Sequence, residues 1–291
     1  MDSETLIGGM HYVAGAGIVL STEQQTVLQT SLMELKHAEK FHKIWFWGKI
    51  SGVTRDYYIA QGVTSDPVAA RKSFFSLDCI KWAQIVHIHE LLVATAAKVR
   101  TRFTGNPSHE YTVNEIVEAS APPTPSELAS IRVETPREDG SRVVVTNLTE
   151  DKRLAAMITT LDHDVAITPR GAFKKTPTDT ITANPSFSGL SHSESQNLQN
   201  YFHLRNPEML PQKTLLERAK LDRAIDFLDT IADDTPYGVW SLQLVNGGSV
   251  VHLRSLLWPG FVFYHVVGSN KYGYVYYGIA QKNIDLPFML P

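Results

Sequence analysis

The run FHKIWFWGKISGVTRDYYIAQG, residues 41–62, predicts a β-hairpin. In its first half, large apolar side chains alternate between two faces, which is the period of a β-strand. Phe46 lies on one face and Trp47 on the other. A two-residue loop containing glycine then precedes a return strand at 53–61, and this spacing is typical of a hairpin. Because both faces of the first strand are apolar, we expect other elements to cover each of them.

Strand signals continue in both halves of the chain. Residues 72–78 predict a third strand beside the hairpin. The aromatic-rich C-terminal region predicts a set of strands separated by glycine-containing turns. These strands are predicted at 239–245, 249–257, 261–267 and 272–279.

Helix signals lie between these strand regions. Three capping boxes predict helix starts: Ser21 with Gln24, Ser191 with Glu194, and Thr214 with Glu217. The first helix should run to about residue 40 and bury a stripe of leucines at helical spacing, and the second should run to about Phe202. Periodicity predicts further helices at 85–99 and 149–161, followed by a strand at 163–171.

Together these elements predict an α+β fold. Antiparallel hairpins from both halves of the chain carry packed helices, in one compact unit spanning residues 1–291. Residues 1–20 have few polar side chains and four glycines, so we expect a loosely ordered lead-in. Residues 113–142 hold four prolines and no aromatic residue, which predicts an exposed linker or loop.

Composition excludes several classes of protein. The 291 residues carry 27 basic and 30 acidic side chains, a net charge of -3 spread evenly, so neither half of the chain has the cationic excess of a nucleic-acid binder. No apolar run approaches the ~20 residues of a membrane span. The single cysteine, Cys79, and the absence of a signal-peptide pattern at the N-terminus favour an intracellular, reducing compartment.

No motif indicates an active site, a cofactor site or a metal site. His87 and His89 could share a face only in a strand, and the sequence that follows them predicts a helix. The acidic and histidine residues at 162–164 lie at a predicted helix end, where such residues commonly gather. Asp78 next to Cys79 raises the pKa of the thiol, so Cys79 is interpreted as a small buried hydrophobe. We therefore predict no catalytic residue, no cofactor and no metal.

Two surfaces are candidates for protein contacts. The helix predicted from Thr214 carries an acidic face, interpreted either as a solvated surface or as an electrostatic docking surface. This face consists of Asp222, Asp226, Asp229 and Asp233. The last predicted strand carries a tyrosine row on one side, which fits either a subunit interface or a covered core. The row consists of Tyr272, Tyr274 and Tyr276.

Several long motifs resemble the radial spoke head proteins of motile cilia and flagella. The similarity covers residues 41–290 in collinear order, with 113–142 as the least matching part. The motifs are FHKIWFWGKISGVTRDYYIAQG (41–62), TPRGAFKKTP (168–177), FSGLS (187–191), NYFHLR (200–205), LRSLLWPGFVFYH (253–265) and YGYVYYGIAQKNIDLPFML (272–290).

The resemblance implies a non-catalytic structural subunit of the axonemal radial spoke head. Such a subunit would support spoke assembly and mechanical signalling between the central pair and the dynein arms. The implied partners are larger head subunits of the 4 and 6 type and further head subunits, on a head that faces the central-pair apparatus, with neither nucleic acid nor membrane. The alternatives are a soluble adaptor that binds peptide or tubulin outside the spoke, and a small cytosolic enzyme.

Overall fold

The fold is given by a computed structural model. It describes residues 1–69, 71–117, 131–136 and 142–289. Contacts within the chain group into two units. The first comprises residues 1–51, 56–84 and 161–291, and the second comprises 52–55 and 85–160. The assignment of residues 1–291 to a single domain stays a prediction.

Both strands and helices occur in the described residues, which confirms the α+β class. The strands are β1 (Lys43–Ile50), β2 (Tyr57–Val63), β3 (Lys72–Ser76), β4 (Ala83–Gln84), β5 (Glu110–Val117), β6 (Ile131–Pro136), β7 (Arg142–Thr149), β8 (Ile167–Pro169), β9 (Phe173–Lys175), β10 (Ile181–Ala183), β11 (Tyr201–His203), β12 (Trp240–Val245), β13 (Val250–Ser255), β14 (Phe261–Val266) and β15 (Tyr272–Gly278). The helices are α1 (Leu6–Ala14), α2 (Thr22–Ala38), α3 (Glu90–Lys98), α4 (Glu150–Val165), α5 (His192–Ser195), α6 (Leu215–Ala219) and α7 (Leu286–Met289).

The first unit contains a sheet of eight strands in the order β12-β13-β14-β15-β1-β2-β3-β4. Its neighbouring strands are antiparallel except for β1 and β15, which run parallel and pair Gly48 with Tyr276 and Ile50 with Gly278. The sheet therefore consists of two four-stranded antiparallel halves, one from each end of the chain. The predicted hairpin and the predicted C-terminal strands are both confirmed.

A β-bulge lies in β1 where it meets β15. The register with β2 shifts between Phe46 and Gly48, so Trp47 is the extra residue. Both Phe46 and Trp47 are buried, which confirms that each face of the strand is covered. Gly48 has φ +146°, and a Cβ built there would lie 2.1 Å from the carbonyl oxygen of Tyr276. Only glycine therefore allows the parallel pairing of β1 with β15.

The second strand of the hairpin begins later than expected, at Tyr57 rather than at residue 53. Residues 52–55 belong to the second unit, where the amides of Val53 and Thr54 donate to the carbonyls of Phe103 and Thr104. These hydrogen bonds replace pairing with β1 and lengthen the loop.

Helix α2 covers the Phe46 face of the sheet. Its start at Ser21 has the predicted capping box, and Leu28 and Leu32 are buried in one cluster with Phe46 and Val262. The leucine stripe is thus confirmed as part of the core.

The expectation of a loosely ordered lead-in at residues 1–20 was wrong. A short 3-10 helix at Ser3–Thr5 and helix α1 pack onto the sheet, burying Leu6, Met10 and Val13. The Met1 amino group donates to the carbonyls of Phe46 and Tyr274 at 3.0 and 3.2 Å. The low polarity of this segment reflects burial, since its apolar residues recur at helical spacing.

The second unit has a three-stranded antiparallel sheet in the order β5-β7-β6. Ala96, Leu148 and Ala156 form its core with partly buried residues of α3. Within the predicted loop at 113–142, two described stretches are strands, since β5 extends to Val117 and β6 occupies Ile131–Pro136; the loop itself stays a prediction. Their β-branched residues favour strands. Residues 118–130 and 137–141, with three of the four prolines, lie outside the described residues.

Two predicted helices are much shorter than expected. All three capping boxes are present, but α5 ends at Ser195 and α6 ends at Ala219. A capping box fixes where a helix begins, and the length depends on packing along an apolar face. The exposed leucines Leu215 and Leu216 show that α6 lacks such packing.

We predict that Gly48→Ala lowers the free energy of unfolding by at least about 2 kcal/mol, because the new Cβ clashes with the β15 backbone and the φ angle is strained. Chemical denaturation measures this loss. Gly8→Ala is the control: a Cβ at Gly8 meets nothing within 4 Å, and alanine favours its helix. Equal stability of Gly48→Ala and the unmodified protein would contradict the pairing.

Candidate interaction surfaces

A groove of about 860 Å³ lies in the first unit. Its lining includes residues of α1, of β1, β8, β9, β10, β14 and β15, and of the loop after β2. Its aromatic lining residues are Tyr12, Trp45, Phe173, Tyr264, Tyr272 and Tyr274. Aromatic side chains with polar tips are common in protein interfaces, so this groove is a candidate docking site.

The aromatic walls of the groove are held by ring contacts. Tyr12 stacks on Tyr264 with ring centroids 5.4 Å apart. Tyr272 packs against Phe187 and Phe263 at 6.0 and 6.5 Å. Burial raises the pKa of Tyr272 to about 12, so its hydroxyl stays neutral at physiological pH. The rings therefore form a fixed, uncharged surface.

One cation on the groove is available to a partner. Lys271 is exposed and forms no ion pair with any of the residues described in the structure. The other lysine of the groove, Lys43, forms an ion pair with Asp2, in which its Nζ lies 3.6 Å from Oδ2 of the aspartate. The groove thus offers a positive charge beside its aromatic walls.

The structure separates the three tyrosines of the predicted row. Tyr272 is partly exposed in the groove, whereas Tyr274 and Tyr276 are only 7% and 1% exposed. The Tyr274 hydroxyl accepts from Arg71 at 3.3 Å, and the Tyr276 hydroxyl accepts from the amide of Ala280 at 2.8 Å. Burial raises the pKa of both phenols. Tyr274 and Tyr276 therefore belong to the core of the chain, and an interface role for Tyr272 stays a prediction.

The predicted acidic helix face was wrong, because α6 ends at Ala219 and the four aspartates follow it, three in irregular segments and Asp233 in a 3-10 helix. Asp226 binds the Arg170 guanidinium through two hydrogen bonds of 2.6 and 2.7 Å, and it also accepts from the amide of Asp222 at 3.1 Å. A carboxylate that bonds nearby backbone amides competes with helix formation. The side chain of Asp222 is exposed.

The remaining two aspartates also have internal partners. Asp229 is buried and accepts from the amides of Glu208, Met209 and Leu210 at 2.6 to 3.0 Å. Asp233 accepts from Lys213 at 2.8 Å. These carboxylates stabilise the fold, and they do not share one exposed surface.

The carboxylates at 162 and 164, at the end of α4, bind two buried tryptophans, a role that the sequence analysis missed. Asp162 accepts from the indole of Trp47 at 2.6 Å, and Asp164 accepts from the indole of Trp258 at 2.9 Å. A buried indole N–H needs an acceptor, so tryptophans in predicted strands are the signal for such partners.

Burial and neighbouring groups shift the pKa values of these two carboxylates. Burial raises the pKa of Asp162, and the Arg71 guanidinium at 3.9 Å offsets part of this shift. At Asp164, burial acts in the same direction, but hydrogen bonds from His163, Lys282 and Trp258 together lower the pKa. Both carboxylates bind groups of the protein itself, so their roles are structural.

The structure also describes the histidines and the cysteine that the sequence analysis considered for chemistry. His87 and His89 are exposed, and no group of three or more metal-ligating side chains occurs in the part of the chain that the structure describes. Cys79 is buried, and burial together with Asp78 raises the pKa of its thiol to about 12. Within the described ranges, no helix combines the length and apolar character needed to span a membrane.

Comparisons with known proteins give full-length relatives. A family model described as "Radial spokehead-like protein" matches residues 1–138. The chain is 42% identical to a radial spoke head protein 9 homolog of Bos taurus, 41% identical to one of Homo sapiens and 43% identical to one of Danio rerio. Each alignment covers all of both chains.

We predict that Tyr276→Glu abolishes folding, since it places a carboxylate without a partner in the core. Circular dichroism and thermal melting measure the result. Lys271→Glu, on the same strand region but exposed, is the control and should change stability by less than about 0.5 kcal/mol. Native-like melting of Tyr276→Glu would show that this tyrosine does not lie in the core.

We predict that the folded protein loses stability in acid because His265 is buried in its neutral form. Its buried ring accepts from the amide of Leu190 at 3.1 Å, and burial lowers its pKa from 6.5 to about 4. Between these values the unfolded chain binds a proton that the folded chain does not. Stability should therefore fall as the pH falls from about 6.5 to about 4, by up to roughly 1.4 kcal/mol per pH unit.

The test is urea denaturation across this pH range with the unmodified protein and His265→Gln. Glutamine can still accept the Leu190 amide but does not titrate, so the variant should show a shallower dependence of stability on pH. Identical slopes would contradict a neutral, buried His265.

Proposed function

The chain belongs to the radial spoke head protein 9 family of radial spokehead-like proteins, and from this membership we propose that it is a non-catalytic structural subunit of the spoke head. As a family member it is a radial spoke component of the axoneme in motile cilia and flagella. Its specific task, in this proposal, is to support spoke assembly and to pass mechanical signals between the central pair and the dynein arms.

The use of polar side chains supports a structural rather than a catalytic role. Asp162, Asp226 and Asp229 each bind groups of the protein itself. A catalytic acid or base must instead reach a bound substrate. Their placement therefore favours a protein whose polar groups maintain its shape.

The large sheet supports the mechanical part of the proposal. Eight hydrogen-bonded strands join residues from both ends of the chain, with buried aromatic side chains on β1, β14 and β15. Close-packed interiors have low compressibility and transmit strain. Such a body can pass a displacement at one surface to a neighbour at another.

For partners, we propose the larger head subunits of the 4 and 6 type and further head subunits, with the groove around Tyr272 as the docking site. The partly exposed Tyr272 and the exposed Lys271 offer contact area and charge on one surface. Interfaces commonly combine an aromatic centre with a polar rim.

The experiment uses ciliated cells in which tagged variants replace the native protein. The unmodified chain should copurify with the larger head subunits from extracted axonemes. The double variant Lys271→Glu/Tyr272→Ala should reduce this recovery at least about tenfold, since interface centres carry most of the binding energy. Lys220→Glu, an exposed lysine outside the groove, is the control and should leave recovery unchanged.

Two outcomes would contradict the proposal. Full recovery of the head subunits by a folded groove variant would exclude the groove as the docking site. Binding of the unmodified chain to purified microtubules, without recovery of any spoke subunit, would favour an adaptor outside the spoke.

A further inference from the structure

The eight-stranded sheet has two edges that differ in protection. β4 is only two residues long, whereas β12 has six residues. Exposed edge strands invite pairing with other chains, and monomeric proteins protect them with short strands, charges or proline. The segment GVWSLQLVNGGS at 238–249, which contains β12, has neither a charged residue nor a proline. The long edge is therefore the unprotected one.

The outer side of β12 is open within the described residues. No strand described in the structure pairs with β12 other than β13. The side chain of Gln243 is exposed, and that of Leu244 is 39% exposed. For residues 241–244, the backbone hydrogen bonds to described residues run only to β13. An extended segment could add to this edge through main-chain hydrogen bonds.

The sequence of β12 is complementary to itself. Two antiparallel copies related by a two-fold axis through Gln243 place Leu242 opposite Leu244 of the second copy, and the same contact recurs on the other side of the axis. Residues two apart lie on one face of a strand, so these leucines meet on the same face. On the opposite face, Ser241 meets Val245 of the second copy.

We propose that two copies of this chain pair through β12 as an antiparallel, two-fold symmetric dimer, which joins their eight-stranded sheets edge to edge. The two Gln243 side chains face each other at the axis, where neutral amides can hydrogen-bond to one another. This dimer goes beyond the proposed function and does not depend on the groove around Tyr272.

The position of Gln243 on the axis gives a charge-swap test. Gln243→Lys sets two like charges opposite each other, and Gln243→Glu does the same with the opposite sign; like charges directly opposite destabilise strand pairing. When the two variants are mixed, opposite charges face each other. Gln196→Lys, an exposed glutamine outside the large sheet, is the matched control.

Sedimentation equilibrium of the full chain measures the mass at concentrations up to about 100 μM. The unmodified protein and the control should approach twice the chain mass of 32.5 kDa. Each charge variant alone should dimerise at least about tenfold more weakly, and the equimolar mixture should recover the dimer.

Three results would overturn the dimer. The unmodified protein could remain at the monomer mass throughout, both charge variants could dimerise like the unmodified protein, or the mixture could fail to recover. If a position 243 variant does not fold, Leu244→Lys tests the same edge, and unchanged dimerisation by that folded variant also overturns the proposal. Copurification with larger head subunits by a monomeric variant would leave the spoke assignment intact.

Discussion

Backbone pairing between β1 and β15 holds together the two halves of the large sheet. Strands β1 to β4 form one antiparallel half and β12 to β15 form the other, and the parallel register from Gly48 and Tyr276 to Ile50 and Gly278 joins them. The close approach requires glycine at position 48. The bulge before it turns Trp47 into the core beside Tyr276, with ring centroids 5.3 Å apart. The buried indole N–H then requires an acceptor, which Asp162 supplies.

The need of buried polar groups for hydrogen-bond partners explains why several polar side chains bind groups within the protein. Asp164 accepts a hydrogen bond from the indole of Trp258, and Arg71 donates one to the hydroxyl of Tyr274. Asp229 accepts hydrogen bonds from three backbone amides. A buried polar group is costly unless it is hydrogen-bonded, so a core rich in tryptophan and tyrosine must include such partners. The result is a firmly packed body, which suits a subunit that works by contact and by transmitting displacement.

Local sequence patterns predicted much of the fold. The features that were missed depend on contacts between residues far apart in the sequence. The hairpin around Gly48 and the C-terminal strands follow from period-two patterns, and the capping boxes identify where helices begin. The parallel pairing of β1 with β15 could not be predicted, because it joins residues more than 220 positions apart. The packing of α1 and the early end of α6 depend likewise on tertiary contacts. In the candidate sites, alternation placed the tyrosines on one side of a strand, but only the surrounding elements decide that Tyr276 is fully buried while Tyr272 stays partly exposed.

Hydrogen exchange of the backbone amides in β1 and β15 tests the central pairing most directly. If the pairing unites the sheet, the slowest amides of the two strands should exchange at the same rate and respond equally to added denaturant, since both require the sheet to open as a whole. Exchange of β12 to β15 through a separate opening, while β1 to β4 remain protected, would contradict this, because it would show two halves that fold independently of the pairing at Gly48.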